Sequence, residues 1–252
     1  MGTGQLFQGN NTKSYLYKQC YFTKNRQLLE SFVSNPERGN SMLTTGVSKD
    51  TQGNLALLGK QSWVAPFYLA GGTACSLYFG HRFSFDLDFF TTKPFDPKII
   101  TQNLRPLGKL AVDQDNEGTF LGKLNTIKIS FFIYPYPLLF KPDTYQHIAI
   151  ADIRDIACMK IDAIGSRGTK RDFIDLFFIC RQHTLLDLFS LFRKKYKEVD
   201  YNLFHLVKSL SYFVSAEEDD MPQMIEKISW EEVKAFFETE TKRLSKKLLG
   251  LR

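Results

Sequence analysis

Between Phe67 and Phe90 the chain changes its hydrophobic rhythm twice. Phe67-Tyr-Leu-Ala70 is a short continuous apolar run, the pattern of a buried strand, and Gly71-Gly72-Thr73 closes it. Ala74 to Phe79 then reads as helix. From Phe85 the pattern alternates, so that Phe85, Leu87 and Phe89 are expected on a core face and Asp86 and Asp88 on the opposite face of one strand. Upstream, Leu55, Leu57, Leu58, Trp63 and Val64 predict a short helix leading into the first strand. Downstream, Pro94-Phe95-Asp96-Pro97 is a helix entry into Lys98–Leu107. Two β segments are expected next, Lys109–Asp113 and Phe120–Ile133, separated by the turn-rich Gln114–Gly118. In the second, Ile127, Ile129, Phe131 and Ile133 share one face and Lys128, Ser130 and Phe132 the other. Tyr134-Pro-Tyr-Pro137 ends it, since proline cannot continue a ladder.

From Asp152 the pattern is helical to Leu249. Asp152–Ser166 predicts a helix with Asp152 as N-cap and Asp155 in a capping-box-like place. Its apolar stripe is Ile153, Ile156, Ala157 and Ile164, and Lys160 falls on that stripe. Such a lysine either snorkels outward or meets a buried anion. A further helix begins near Lys170-Arg171-Asp172, with Asp172 and Asp175 on one face, where carboxylates also suit the positive end of the helix dipole. Residues 1–41 fit poorly with the rest of the chain. They are read as an extension of unknown role, with Met42 an alternative start. Domains are expected at 42–150 and 151–252. No internal repeat is evident.

Composition narrows the classes. The 252 residues suffice for one large domain or two small ones, and 43% hydrophobic with 24% charged residues is ordinary for a globular protein. The 23 phenylalanines are read as a bulky core. A net charge of +6 is a mild bias toward anionic partners such as nucleotides or RNA. Cys20, Cys75, Cys158 and Cys180 are scattered, which argues against a zinc site or a disulfide framework, and the four histidines are equally dispersed. No apolar run reaches the roughly 20 residues a bilayer needs, and no signal-peptide pattern opens the chain. A reducing cytoplasm and no membrane partner are the expectation.

The chemistry lies in two stretches. Gly71-Gly72-Thr73 at a helix start presents free backbone N–H groups that suit a phosphate. Asp86 and Asp88, about 7 Å apart along a strand face, suit Mg²⁺, a hard cation that prefers oxygen ligands and substrate phosphates. Singly, a Gly-Gly turn and an Asp-x-Asp are commonplace; in this order, framed by Phe67–Ala70 and Phe89-Phe90, they are specific. Gly-Gly-Thr…Gly-His-Arg-x-Ser-x-Asp-Leu-Asp-Phe-Phe resembles the nucleotidyltransferases of the AbiEii/AbiGii toxin family, within the DNA polymerase β-like superfamily. Ala151 to Lys160, continued by Arg167-Gly-x-Lys-Arg-Asp172-Phe-Ile-Asp175, resembles the same family's second signature. The likeness covers roughly residues 55–180; the helical tail is generic.

The resemblance implies an α+β fold: a polymerase β-like nucleotidyltransferase core, a mixed β-sheet flanked by helices, followed by a C-terminal helical bundle that contributes Lys160 and Asp172/Asp175. It implies transfer of NMP from an NTP to an acceptor hydroxyl in a toxin paired with a cognate antitoxin, with RNA such as tRNA as an acceptor. Asp86 and Asp88 would hold Mg²⁺ (or Mn²⁺). Gly71, Gly72 and Thr73, its hydroxyl helping, would bind the nucleotide phosphates. Lys160, with Arg82, would offset charge on departing pyrophosphate, and Asp172 or Asp175 would orient or deprotonate the acceptor. One departure stands out. The superfamily draws a third carboxylate from a later strand, and the equivalent strand here offers Lys128, Ser130 and Phe132. Asp113, Asp172 or Asp175 would have to substitute. Two other readings stay open: a catalytically silent nucleotide- or RNA-binding module, and nucleotidyl transfer to a small molecule. His81 reads equally as a packing residue of its turn and Ser84 as a strand start. The clusters Arg193-Lys-Lys195, Lys242-Arg243 and Lys246-Lys247 read as solvated helix faces, diluted by Glu217–Asp220.

Overall fold

A seven-stranded mixed sheet, in the order β3-β4-β5-β2-β1-β7-β6, organises the chain. The computed structural model describes residues 42–250; the expectations for residues 1–41 lie outside the described residues. The chain from Met42 onward forms one compact unit. Helix α1 (Lys49–Leu58), capped by the Ser48 side chain, and a 3₁₀ turn at Ser62–Val64 lead into β1 (Tyr68–Ala70). Helix α2 (Gly71–Phe79) starts where β1 ends and stops at Gly80, whose φ of 61° is the left-handed cap that glycine favours. Strand β2 (Leu87–Thr91) follows, then α3 (Pro97–Leu104), entered through the Asp96 N-cap and Pro97 as expected.

The two β segments are three strands: β3 (Leu110–Asn116), β4 (Thr119–Leu124) and β5 (Ile127–Ile133). Phe120–Ile133 folds back on itself at Asn125, which takes φ 55° and hydrogen-bonds Asn54 across to α1. Only Glu117-Gly118 turns between β3 and β4, so Gln114–Asn116 remain in the ladder. A second hairpin, β6 (Asp143–Tyr145) and β7 (Ile148–Ile150), was not evident from the pattern. Its two turn residues, Gln146 and His147, have φ of 48° and 63°, the backbone of a type I′ turn without the glycine or asparagine that usually announces one. β7 pairs parallel to β1 and so belongs to the inner sheet.

Helices α4 (Ile153–Ser166), α5 (Lys170–Ile179), α6 (Leu185–Lys195), α7 (Leu203–Ser209), α8 (Val214–Glu217) and α9 (Trp230–Leu249) complete the chain, and α4 and α5 pack against α2. Asp152 caps α4 as expected. Asp155 does not form a capping box. It is fully buried, accepts the backbone N–H groups of Leu139 and Phe140, and pairs with Lys195 at 2.8 Å. Lys195 is therefore no solvated charge; its side chain is 0% exposed.

On the closed face of the sheet Leu87, Phe89, Phe120, Ile129 and Phe131 are fully buried, and Phe67 and Trp63 pack on Phe131. Phe85 departs from its expected place. It precedes β2, so strand alternation does not reach it, and it is 45% exposed with its ring stacked on Phe83.

Candidate active site

Strand pairing assembles the site. Ala70 of β1 lies opposite Asp88 of β2, and Asp88 lies opposite Ser130 of β5. The first turn of α2 thus begins beside the Asp88 carboxylate. Gly71 has φ +72°, and a Cβ there would sit 3.0 Å from Asp88 Oδ2. A Cβ on Gly72 would sit 2.5 Å from Arg82 Nη2 and 3.0 Å from Ser84 Oγ. Both positions need glycine, because backbone must approach the acid on one side and a guanidinium on the other. Ala70, the N-cap, offers no capping side chain, so the N–H groups of the first turn keep no side-chain partner from the cap.

Thr73 is buried. Its hydroxyl donates to the Asp86 backbone carbonyl and lies 3.0 Å from Ser84 Oγ. That hydroxyl ties the helix start to the acid segment.

Asp86 and Asp88 are half-buried, and neither forms an ion pair with a described residue. Burial, reinforced by the neighbouring Asp86, pushes the Asp88 carboxyl above the usual range, against the Ser130 hydroxyl hydrogen bond and the more distant Lys160 and Arg167. Ser130 stands where a third carboxylate was sought. Asp113 does not replace it: it is exposed on β3, three strand spacings or about 14 Å from β2.

The second acid pair lies in a different environment. Asp175 is fully buried and receives Arg82 through Nε and Nη2 at 2.7 and 2.8 Å, His81 Nε2 at 2.8 Å and Lys160 Nζ at 2.7 Å. Asp172, also buried, receives Lys160 at 3.0 Å, Arg167 at 3.0 and 3.2 Å and the Thr169 hydroxyl at 2.7 Å. Burial would raise both carboxyls. Arg82 and Lys160 outweigh it at Asp175, and Lys160 and Arg167 at Asp172, so both fall below their ordinary range. Burial likewise opposes the Lys160 ammonium, yet Asp175 and Asp172 hold it charged. His81 is lowered by burial and is a neutral imidazole donating to Asp175.

The buried anion that Lys160 meets is thus the Asp172/Asp175 pair. In these positions both carboxylates are engaged by cations and closed to solvent. Cys75, His81 and Asp175 bring donor atoms within 4.8 Å of one another. They do not suit a metal, since Arg82 and Lys160 already neutralise Asp175 and burial holds Cys75 as the thiol.

Arg167 was missed. It stands in the second signature, yet nothing in the pattern separates it from Lys170 and Arg171. Its side chain is 65% exposed, and two N–H groups on Asp172 fix the guanidinium. Three cations, Lys160, Arg82 and Arg167, therefore serve two carboxylates, leaving positive charge beside the unpaired Asp86/Asp88. The surface depression of about 520 Å³ around Pro94–Lys98 and another of about 480 Å³ around Met221–Ser229 include none of these residues.

An uncapped helix start, an acid pair without an ion-pair partner among the described residues and a cationic flank thus lie together on one mixed sheet. Two solved structures share the fold. JHP933 from Helicobacter pylori is 21% identical with a TM-score of 0.51, covering 81% of this chain and 95% of its own. The nucleotidyltransferase toxin MenT4 from Mycobacterium tuberculosis H37Rv is 14% identical with a TM-score of 0.53, covering 77% and 82%. Residues 55–247 match the model of the nucleotidyl transferase AbiEii toxin of type IV toxin–antitoxin systems, and the chain belongs to that family. The match takes in most of the tail that looked generic. An uncharacterized protein of Aquifex aeolicus (strain VF5) is 44% identical over 184 residues, 70% of this chain and 86% of its own.

Proposed function

We propose that this nucleotidyltransferase moves NMP from an NTP to an acceptor hydroxyl in RNA, tRNA being one such acceptor, and releases pyrophosphate and a proton. The observation that carries the reading is the contrast between Asp86/Asp88, without an ion-pair partner among the described residues, and the cation-rich network beside them. Two carboxylates with no ion-pair partner among the described residues fit Mg²⁺ or Mn²⁺, hard cations that prefer oxygen ligands. Asp86 and Asp88 would hold the ion, which supplies charge neutralisation for the phosphates when bound.

The chain's own groups do the rest. The N–H groups at Gly71 and Gly72 cradle phosphate oxygens at the positive end of α2. Arg167, fixed by Asp172, presents an open guanidinium to the leaving phosphates. Lys160 and Arg82 act as fixed positive charge behind them. Asp172 and Asp175 are positioning residues for those cations, and the acceptor proton passes to solvent. The mild positive charge of the chain supports an RNA acceptor, and the family supports a cognate antitoxin and a cytoplasmic setting. Among the described residues no helix is long and apolar enough to cross a membrane.

The test is incubation with Mg²⁺, each α-labelled NTP and total RNA, beside Asp88→Asn. Label on RNA from the intact protein alone is the expected result. Label only on small molecules would discard the RNA acceptor, and nucleotide binding without any label would favour a silent binding module.

A further inference from the structure

Two residues beyond the acid pair, the same strand face turns aromatic. Phe90 follows Asp88 on β2 and Phe132 follows Ser130 on β5, so both rings rise from the site's face of the sheet, about 7 Å further along the strands. The two residues are directly paired and their rings stack at 5.5 Å, while Tyr68 of β1 stacks on Phe90 at 6.0 Å, so Phe90 is the middle ring of the row and Phe132 its end. Tyr134 meets Phe90 edge-on at 5.6 Å. Their neighbours Phe89 and Phe131, on the opposite face, are completely buried, whereas Phe90, Phe132 and Tyr134 are partly open. Phe90 and Tyr134 also border the core, so the row joins the core to the site's face.

The row is also held rigid. Tyr134 shares a hydrogen bond with the Tyr196 hydroxyl. The loop beyond it is fixed by Lys195 on the Pro137 carbonyl at 2.7 Å and by Asp155 on the N–H groups of Leu139 and Phe140. A preorganised aromatic surface loses little freedom when a flat ligand settles on it.

We propose that Phe132, backed by Phe90 and Tyr68, is the ring on which the base of the nucleoside triphosphate stacks. One strand repeat from the acid pair matches the reach from a nucleotide's α-phosphate across the ribose to its base. Stacking uses the π-face that every base has, so the platform contributes to binding of any NTP. This assignment rests on the nucleotide site proposed above.

The experiment is calorimetric titration of the full chain in Mg²⁺ with an α,β-methylene NTP analogue and, separately, with inorganic tripolyphosphate. Phe132→Ala is expected to weaken the analogue about tenfold or more, Phe132→Leu similarly, and Phe132→Trp to restore it. Tripolyphosphate should bind all four proteins alike. Unchanged analogue binding in Phe132→Ala overturns the platform, as does an equal loss for both ligands, which would mean that the ring only supports the fold. RNA labelling lost while analogue binding persists would give the ring to the acceptor instead, again overturning it. Intact protein that binds tripolyphosphate and analogue equally removes the platform but keeps the phosphate site; binding neither removes the nucleotide reading as well.

Discussion

Two aspartate pairs built from the same side chain occupy opposite environments. Asp86 and Asp88 flank one edge of the sheet face, half-open, without an ion pair, and Asp88 binds protons more tightly than an ordinary carboxyl. Asp172 and Asp175 are closed in beneath Lys160, Arg82, His81 and Arg167, and both hold protons less tightly than usual. The first pair has no ion-pair partner among the described residues, and the second is held by three cations. An acid pair left without a cation in a half-buried place costs the apo protein stability, which metal would restore; the saturated pair stabilises the fold and aims its cations. Function follows from the difference in partners.

Breaking each pair should give opposite signatures. The largest effect is expected on transfer activity from Asp88→Asn, a loss of at least about 100- to 1000-fold measured by label incorporation, with the thermal midpoint unchanged or raised. Asp175→Asn should unbalance buried cations and cost about 3–5 kcal/mol in chemical denaturation, because one partner of a desolvated network is removed. A second buried pair sharpens the point: Lys195→Met should also destabilise, by about 3 kcal/mol or more, through the uncompensated Asp155, while tripolyphosphate binding persists.

The pH dependence of stability separates the pairs by sign. Asp172 and Asp175 have folded pKa values below the unfolded value near 3.9, so their contribution is full above that pH and is lost as pH falls through it toward their folded values. Asp88 has a raised folded pKa, so it costs stability above the unfolded value and the cost disappears on acidification. Denaturation from pH 7 to pH 3 should show a shallower acid loss in Asp175→Asn and a steeper one in Asp88→Asn than in the parent. The smallest stability effect belongs to Arg167→Ala, within about 1 kcal/mol because that side chain is largely exposed; its consequence should appear as weaker tripolyphosphate binding, of about 5- to 50-fold.

How much of this was legible depended on the range of the interactions. The β1–Gly-Gly–α2 unit is a local pattern and stands where the residues put it; of the Asp-x-Asp, Asp88 lies on the expected strand and Asp86 directly before it. Lys160 was visible as a charge on an apolar stripe, but a stripe does not name its partner, and the anion is protein carboxylate 12 and 15 residues away. Asp155 and Lys195 pair across 40 residues, and Lys195 was hidden in an Arg-Lys-Lys run that looks solvated. The two overlooked hairpin turns carry φ-positive residues at Asn125, Gln146 and His147 with no glycine to mark them. Phe85 failed for a simpler reason: alternation was extended past the end of its strand.

The central claim is that Asp86/Asp88 receives the metal–nucleotide and Asp172/Asp175 does not. Its most direct test is Mn²⁺ binding, followed by electron paramagnetic resonance with an α,β-methylene NTP present, in the parent, Asp88→Asn and Asp172→Asn. The account predicts that Asp88→Asn, folded, loses nucleotide-dependent Mn²⁺ binding, while Asp172→Asn retains it with the same stoichiometry. Retention in Asp88→Asn, or its loss in a folded Asp172→Asn, would contradict the division of labour between the two pairs.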